Sequence, residues 1–93
     1  MLIEQEVAGS KGSFFIRDKE SLLAEMTFII SDGAVLTILH TEVDESLKGK
    51  SIGYMLLKET AAYAHKNQFK IIAHCSFAKA LLEKKKEEFA NVL

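Results

Sequence analysis

Three short stretches of this 93-residue chain carry side chains suited to chemistry. The first is "LKGKSIG", residues 47–53, which sets two glycines, two lysines and a serine at the start of a helical pattern. A helix start leaves unpaired backbone N–H groups, and its dipole favours an anion. Lys48 and Lys50 add positive charge, while Gly49 and Gly53 let an anion approach the backbone closely. The turn reads either as a phosphate cradle or as an ordinary strand-to-helix connection. It is not a Walker A loop, because its Lys-Ser pair comes too early, and it lacks the dinucleotide G-x-G-x-x-G. The second stretch holds His40, near the end of a β-branched run. An imidazole with an ordinary pKa of about 6.5 can take a proton near neutrality. The alternative is a strand-ending histidine bonded to backbone. The third holds Cys75, a candidate proton donor or acyl acceptor, or else a small buried hydrophobe. His74 should face away from Cys75, and His65 falls on the polar side of a helix. Three histidines and one cysteine without zinc-site spacing give no expectation of a metal.

These residues need a scaffold, and the hydrophobic pattern predicts one. Residues 2–7 and 13–17 read as strands separated by "GSKG". Residues 22–30 alternate, with Leu22, Ala24, Met26, Phe28 and Ile30 on one face. "SDG" signals a hairpin, and 34–43 form a fourth strand. From 51 to 66 the period becomes helical. Ile52, Leu56, Leu57, Thr60, Ala61, Tyr63 and Ala64 gather opposite Lys58, Glu59, His65 and Lys66. "NQ" closes this helix, with Asn67 expected in the left-handed position. Residues 70–75 read as a short buried strand. Ser76 is then the expected N-cap of a second helix, with Phe77, Ala80, Leu81 and Leu82 on its apolar side. Lys84 to Lys86 and the two following glutamates read as a solvated face ending in a frayed tail. The expected fold is α+β (mixed α/β): one domain over residues 1–93, with four antiparallel strands followed by helix, strand, helix.

At 48% hydrophobic residues, the chain is no disordered segment. No apolar run reaches the roughly 18 residues of a membrane span, and the N-terminus has no signal-peptide layout. A single cysteine suits a reducing, cytoplasmic setting. Residues 1–45 hold nine acids and three bases, whereas 46–93 hold nine lysines and four acids. The second half is therefore expected to meet an anion. Without Arg-rich tracts or interleaved aromatics, the charge does not indicate nucleic acid, and a small polyphosphate suits it as well.

The motifs "HTEV" (40–43), "KGKSIG" (48–53) and "CSF" (75–77), in this order, resemble the GNAT superfamily of acetyl-CoA-dependent N-acetyltransferases. The likeness is to its small single-domain branch and covers nearly the whole chain. The superfamily's pyrophosphate loop reads [QR]-x-x-G-x-[GA]. Here Lys48 stands for Gln or Arg, and Ser51 for the first glycine. The resemblance implies acetyl-CoA between the fourth strand and "KIIAH", where the two splay apart. Pyrophosphate would lie on the N–H groups of Gly49, Lys50, Ser51, Ile52 and Gly53, beside Lys48. Backbone of Thr41, Glu42 and Val43 would meet the cofactor, with an N–H near His40 to Val43 as oxyanion donor. His40 would be the base and Cys75 would neighbour the thioester. The general-acid tyrosine that many full-size relatives carry on the last helix is missing, since Tyr54 and Tyr63 both lie on the first. Glu42, Asp44 and Glu45 either attract a cationic amine or form a solvated acidic loop. The expected function is acetyl transfer to an amine of unknown identity. The alternatives are an acyl-CoA-binding module and a protein-interaction domain. No membrane partner is expected, and oligomeric state stays open.

Overall fold

A computed structural model of the chain describes residues 2–93. Strands β1 (Glu4–Ala8), β2 (Lys11–Asp18), β3 (Ser21–Ser31) and β4 (Val35–Val43) precede helix α1 (Ile52–Lys66), strand β5 (Lys70–Ala73) and helix α2 (Ser76–Lys84). Single 3₁₀ turns occupy Glu45–Leu47 and Ala90–Val92. The strands form one sheet in chain order, antiparallel from β1 to β4 and parallel between β4 and β5. Tight turns force the antiparallel pairs, and α1 is the crossover that permits the parallel one. The β3–β4 turn has positive φ at both Asp32 and Gly33, as a type I′ hairpin requires.

One face of the sheet makes the core. Phe14, Ile16, Ala24, Met26, Phe28, Leu36, Ile38 and Ile71 are buried there with Ile52, Leu56, Leu57, Ala61 and Ala64 of α1. Thr60 is also fully buried, and its hydroxyl donates to the Leu56 carbonyl at 2.9 Å. Back-bonding of this kind satisfies a polar group inside the core. Helix α2 and the terminal turn lie beside α1, burying Ala78, Leu82, Phe89 and Val92.

Several sequence expectations need correction. The first strand runs over 4–8, not 2–7. Ile16 pairs with Ala24 but Arg17 pairs with Leu22, so a bulge at Leu23 turns Leu22 to the other face, where it is 51% exposed. Gln68, not Asn67, takes the left-handed position after α1 (φ 61°), and the Phe69 N–H bonds the Ala64 carbonyl at 2.8 Å. Strand β5 stops at Ala73 and is an edge, with Ile72 51% exposed. Cys75, not Ser76, occupies the N-cap position of α2. That helix buries Ala78 and Leu82 rather than Ala80 and Phe77.

Candidate functional site

The connection between β4 and α1 is built by local polar bonds and two left-handed residues. Asp44 Oδ2 accepts from the Ser46 N–H at 3.0 Å and the Ser46 hydroxyl at 2.6 Å. These bonds cap the first 3₁₀ turn and hold the Asp44 carboxyl below its ordinary pKa. Leu47 is buried and anchors the turn. Lys48 pairs with Glu45 at 3.1 Å on the surface. Such an exposed pair is weak and exchanges readily for a stronger anion. Gly49 (φ 82°) and Ser51 (φ 58°, ψ 30°) are both left-handed. Ser51 is the N-cap of α1, but its hydroxyl makes no capping bond. The first α1 backbone bond runs from the Met55 N–H to the Ser51 carbonyl, 3.0 Å. The N–H groups of Ile52, Gly53 and Tyr54 therefore face the helix mouth without a side-chain cap. An anion would be drawn there by the dipole and by Lys48.

Beside this turn lies an open groove of about 530 Å³. Thr41 and Val43 of β4, Leu47 to Gly49, and Ser51 to Tyr54 line one part of it, and Phe77 and Leu81 of α2 line the other. Seven predicted cofactor residues are brought together here: Thr41, Val43, Lys48, Gly49, Ser51, Ile52 and Gly53. Glu42 and Lys50 lie outside the lining. Four lining residues were not predicted as cofactor contacts. Leu47, Tyr54 and Leu81 read as ordinary helix or loop positions, while Phe77 had a signal in its spacing from Cys75. Gly53 also has a packing role. A Cβ there would come within 2.4 Å of the Phe77 ring, so the glycine makes room for an aromatic wall. The Tyr54 hydroxyl donates to the Glu88 carboxylate (2.6 and 2.7 Å), which raises its pKa above the ordinary value.

The decisive feature of β4 is a second bulge. Phe28 pairs with Ile38, but Thr27 pairs with His40, leaving Leu39 as the extra residue. Partners directly opposite share a face. Thr41 and Val43, opposite Met26 and Ala24, therefore point to the helix layer and the groove. His40 and Glu42, opposite Thr27 and Glu25, point to the other face. Pairing with β5 ends at Ile38↔Ala73, with one further bond from the His74 N–H to the Ile38 carbonyl at 2.9 Å. Beyond it the two strands separate.

Cys75 stands at that separation. Its thiol donates to Thr41 Oγ1 at 3.4 Å on the groove side. Burial pushes the thiol pKa up, but its hydrogen bonds with the Thr41 side chain and with the backbone of Ala78, Phe77 and Thr41 outweigh it, and the thiol titrates below its ordinary value. The two predicted catalytic residues thus flank the opening from opposite faces: Cys75 from the groove, His40 from the exposed side. Among the described residues, no three His, Cys, Asp or Glu side chains gather as a metal site would need.

No curated protein matches the chain. It is similar to a GCN5-like protein from Staphylococcus aureus, at 39% identity, 96% coverage of this chain, 85% of that one, and TM-score 0.75. A GNAT family acetyltransferase from Elizabethkingia anophelis, solved with acetyl-CoA bound, shares 18% identity at TM-score 0.64, covering 83% of this chain and 53% of that one. Tetrahymena GCN5 shares 14% at TM-score 0.66, covering 82% and 50%. At those identities the likeness is one of fold, and this chain spans about half of each. Residues 13–92 match the model of the GCN5-related N-acetyl-transferase family, and with the 39% identical relative this shows that the chain belongs to that family.

Proposed function

We propose that residues 1–93 form a single N-acetyltransferase domain that moves an acetyl group from acetyl-CoA to an amine. The observation that carries this reading is the opening between β4 and β5, flanked by an uncapped helix start and a groove on one face and by His40 on the other. The N–H groups at the start of α1, with Lys48 and Lys50, would hold the pyrophosphate. Thr41 and Val43 would border the pantetheine arm, and Glu42 would meet the cofactor through backbone alone. A β4 backbone N–H past the bulge would stabilise the developing oxyanion. His40 would take the proton of the incoming ammonium from the exposed face. Cys75, beside Thr41, would return a proton to the departing thiolate. The reading requires acetyl-CoA and an amine as partners, and neither nucleic acid nor membrane. A free cysteine in this role suits a reducing cytoplasm.

A second reading keeps the cofactor site without turnover. It is favoured by the Tyr54 hydroxyl, the one phenol lining the groove, being tied to Glu88 rather than free to act as an acid. One experiment separates the two. Acetyl-CoA is titrated into isotope-labelled protein while amide shifts and thermal unfolding are followed, and turnover is then assayed over an amine panel. At a hundredfold Kd the ligand should add about 2.7 kcal/mol of stability, a melting shift on the order of ten degrees. Shifts centred on Gly49, Ser51 and Ile52 with turnover support the enzyme. The same shifts without turnover support the binding module. Silence at those amides at millimolar ligand refutes both.

A further inference from the structure

The sheet has two edges, and they are protected differently. An edge strand presents unpaired N–H and C=O groups that another chain can extend. On β1, Glu4 and Glu6 share one face, so a twofold through the middle of that strand sets Glu6 against its own copy or against Glu4 of the copy. Like charges directly opposite disfavour such pairing. Strand β5 carries no acid. Its Ile71 is buried in the core opposite Leu36, and its exposed Ile72 stands on the face that no helix covers.

The bonds to β4 decide which backbone groups of β5 are free. The Lys70 N–H bonds the Ala34 carbonyl and the His74 N–H bonds the Ile38 carbonyl, both at 2.9 Å. Backbone groups alternate sides along a strand, so Lys70, Ile72 and His74 face β4. The N–H and C=O groups of Ile71 and Ala73 therefore point outward from the edge. Antiparallel pairing with a second β5, about a twofold at Ile72, satisfies all of them. Each Ile71 exchanges both bonds with Ala73 of the second copy. Ile72 then meets its own copy at the non-hydrogen-bonded position, where side chains lie closest.

The flank of this edge is self-complementary. An open trough of about 500 Å³ runs beside β5, walled by Ile71, Ile72, Leu82 and Leu93. Ile72 and Leu93 are about half exposed there. Lys79, Glu83 and Lys86 line the same trough, and among the described residues none of the three has an ion-pair partner within the chain. A twofold perpendicular to the sheet reverses α2 together with β5. It lays the lysine–glutamate–lysine row antiparallel to its copy, so that each Glu83 is offered a lysine. A patch that complements itself is what a twofold contact requires.

We propose that β5 is a self-association edge, at which two copies of this chain join antiparallel about Ile72 and merge their five-stranded sheets into one. The contact is small beside the roughly 1,600 Å² of stable interfaces, so the dimer is weak, with a Kd on the order of 100 µM.

The test is sedimentation equilibrium from about 10 µM to about 1 mM chain. The mass should rise toward a dimer and stop there. Ile72→Lys, at an exposed site, should raise Kd about tenfold or more while the monomer stays folded, and Glu83→Lys should raise it several-fold. The register is read by cross-linking. In a Cys75→Ser background, Ile72→Cys should form an interchain disulfide on mild oxidation, since non-hydrogen-bonded partners bring Cα atoms to about 4.5 Å. Leu22→Cys, equally exposed on a distant strand, should not. As concentration rises, the amides of Ile71 and Ala73 should gain exchange protection, and that of Ile72, already bonded to β4, should change less. Four results would each overturn the proposal. A chain still monomeric at the highest concentration would leave the edge to a different polypeptide. Growth beyond a dimer would point to a head-to-tail contact of β1 with β5, which does not close. The other two are a dimer indifferent to Ile72→Lys and cross-linking no faster from Ile72→Cys than from Leu22→Cys.

Discussion

Ser51 is the position where backbone conformation and side-chain type conflict, and Ser51→Gly tests the geometry of the turn between β4 and α1. The residue sits at φ 58°, ψ 30°, exposed, with no capping bond from its hydroxyl. An L-residue held there costs roughly 1–2 kcal/mol relative to glycine, because Cβ crowds the following carbonyl. Glycine surrenders part of this, about 0.5–1 kcal/mol, through its greater freedom in the unfolded chain. The net expectation is a gain of about 0.5–1 kcal/mol, or a melting temperature about 3–6 °C higher for a domain of this size. Two controls isolate the cause. Ser51→Ala retains Cβ and loses only an uncapped hydroxyl, so it should change stability by less than about 0.5 kcal/mol. Gly49→Ala adds a Cβ at φ 82° with no atom within 4 Å, so its whole cost is backbone strain, about 1–2 kcal/mol. Urea unfolding with an unchanged m-value reads all three. A destabilised Ser51→Gly, or a neutral Gly49→Ala, would refute the left-handed assignment of this turn. The acetyl-CoA melting shift should persist in Ser51→Gly, since the N–H groups are unaltered.

Other outcomes follow from single contacts. Thr41→Val removes the hydroxyl bonded to Cys75, so the thiol should titrate higher and its alkylation by iodoacetamide at neutral pH should slow several-fold. Gly53→Val drives a side chain into the Phe77 ring and should cost about 1–3 kcal/mol. Adding Phe77→Ala should recover part of that loss, and a double-mutant cycle reads the coupling. Asp44 has a folded pKa below its unfolded value, so it contributes stability above pH 3.8 that is lost as pH falls through the folded value. Ser46→Ala removes one of the two bonds responsible, and the gap between wild type and variant in urea unfolding should close as the pH is lowered through that range. Glu88→Gln should bring the Tyr54 phenol back toward its ordinary pKa, read by ultraviolet titration.

What local pattern encodes was legible in the sequence. The order of four strands, helix, strand and helix follows from period and turn residues, and the structure has that order. The left-handed turn at Asp32-Gly33 and the uncapped, lysine-flanked start of α1 depend on residues adjacent in the chain, so both are visible there. The motif resemblance pointed to the family that the comparisons then showed. Seven of the nine expected cofactor positions line one groove because the turn that carries most of them is a contiguous stretch. Registers between strands are another matter. The bulges at Leu23 and Leu39 leave no mark in the alternation, because an extra residue is defined only against its partner strand. Simple period-2 counting from Leu36 and Ile38 puts His40 and Glu42 in the core face and Thr41 outside it. Tertiary pairing reverses all three. The same holds for Gly53, whose neighbour Phe77 is far away in sequence but within van der Waals reach in space. Chain-local chemistry determined the elements and the turn that leads into α1. Only the packing of strand on strand and helix on helix decided which face each reactive side chain meets, since that depends on contacts between residues distant in the chain.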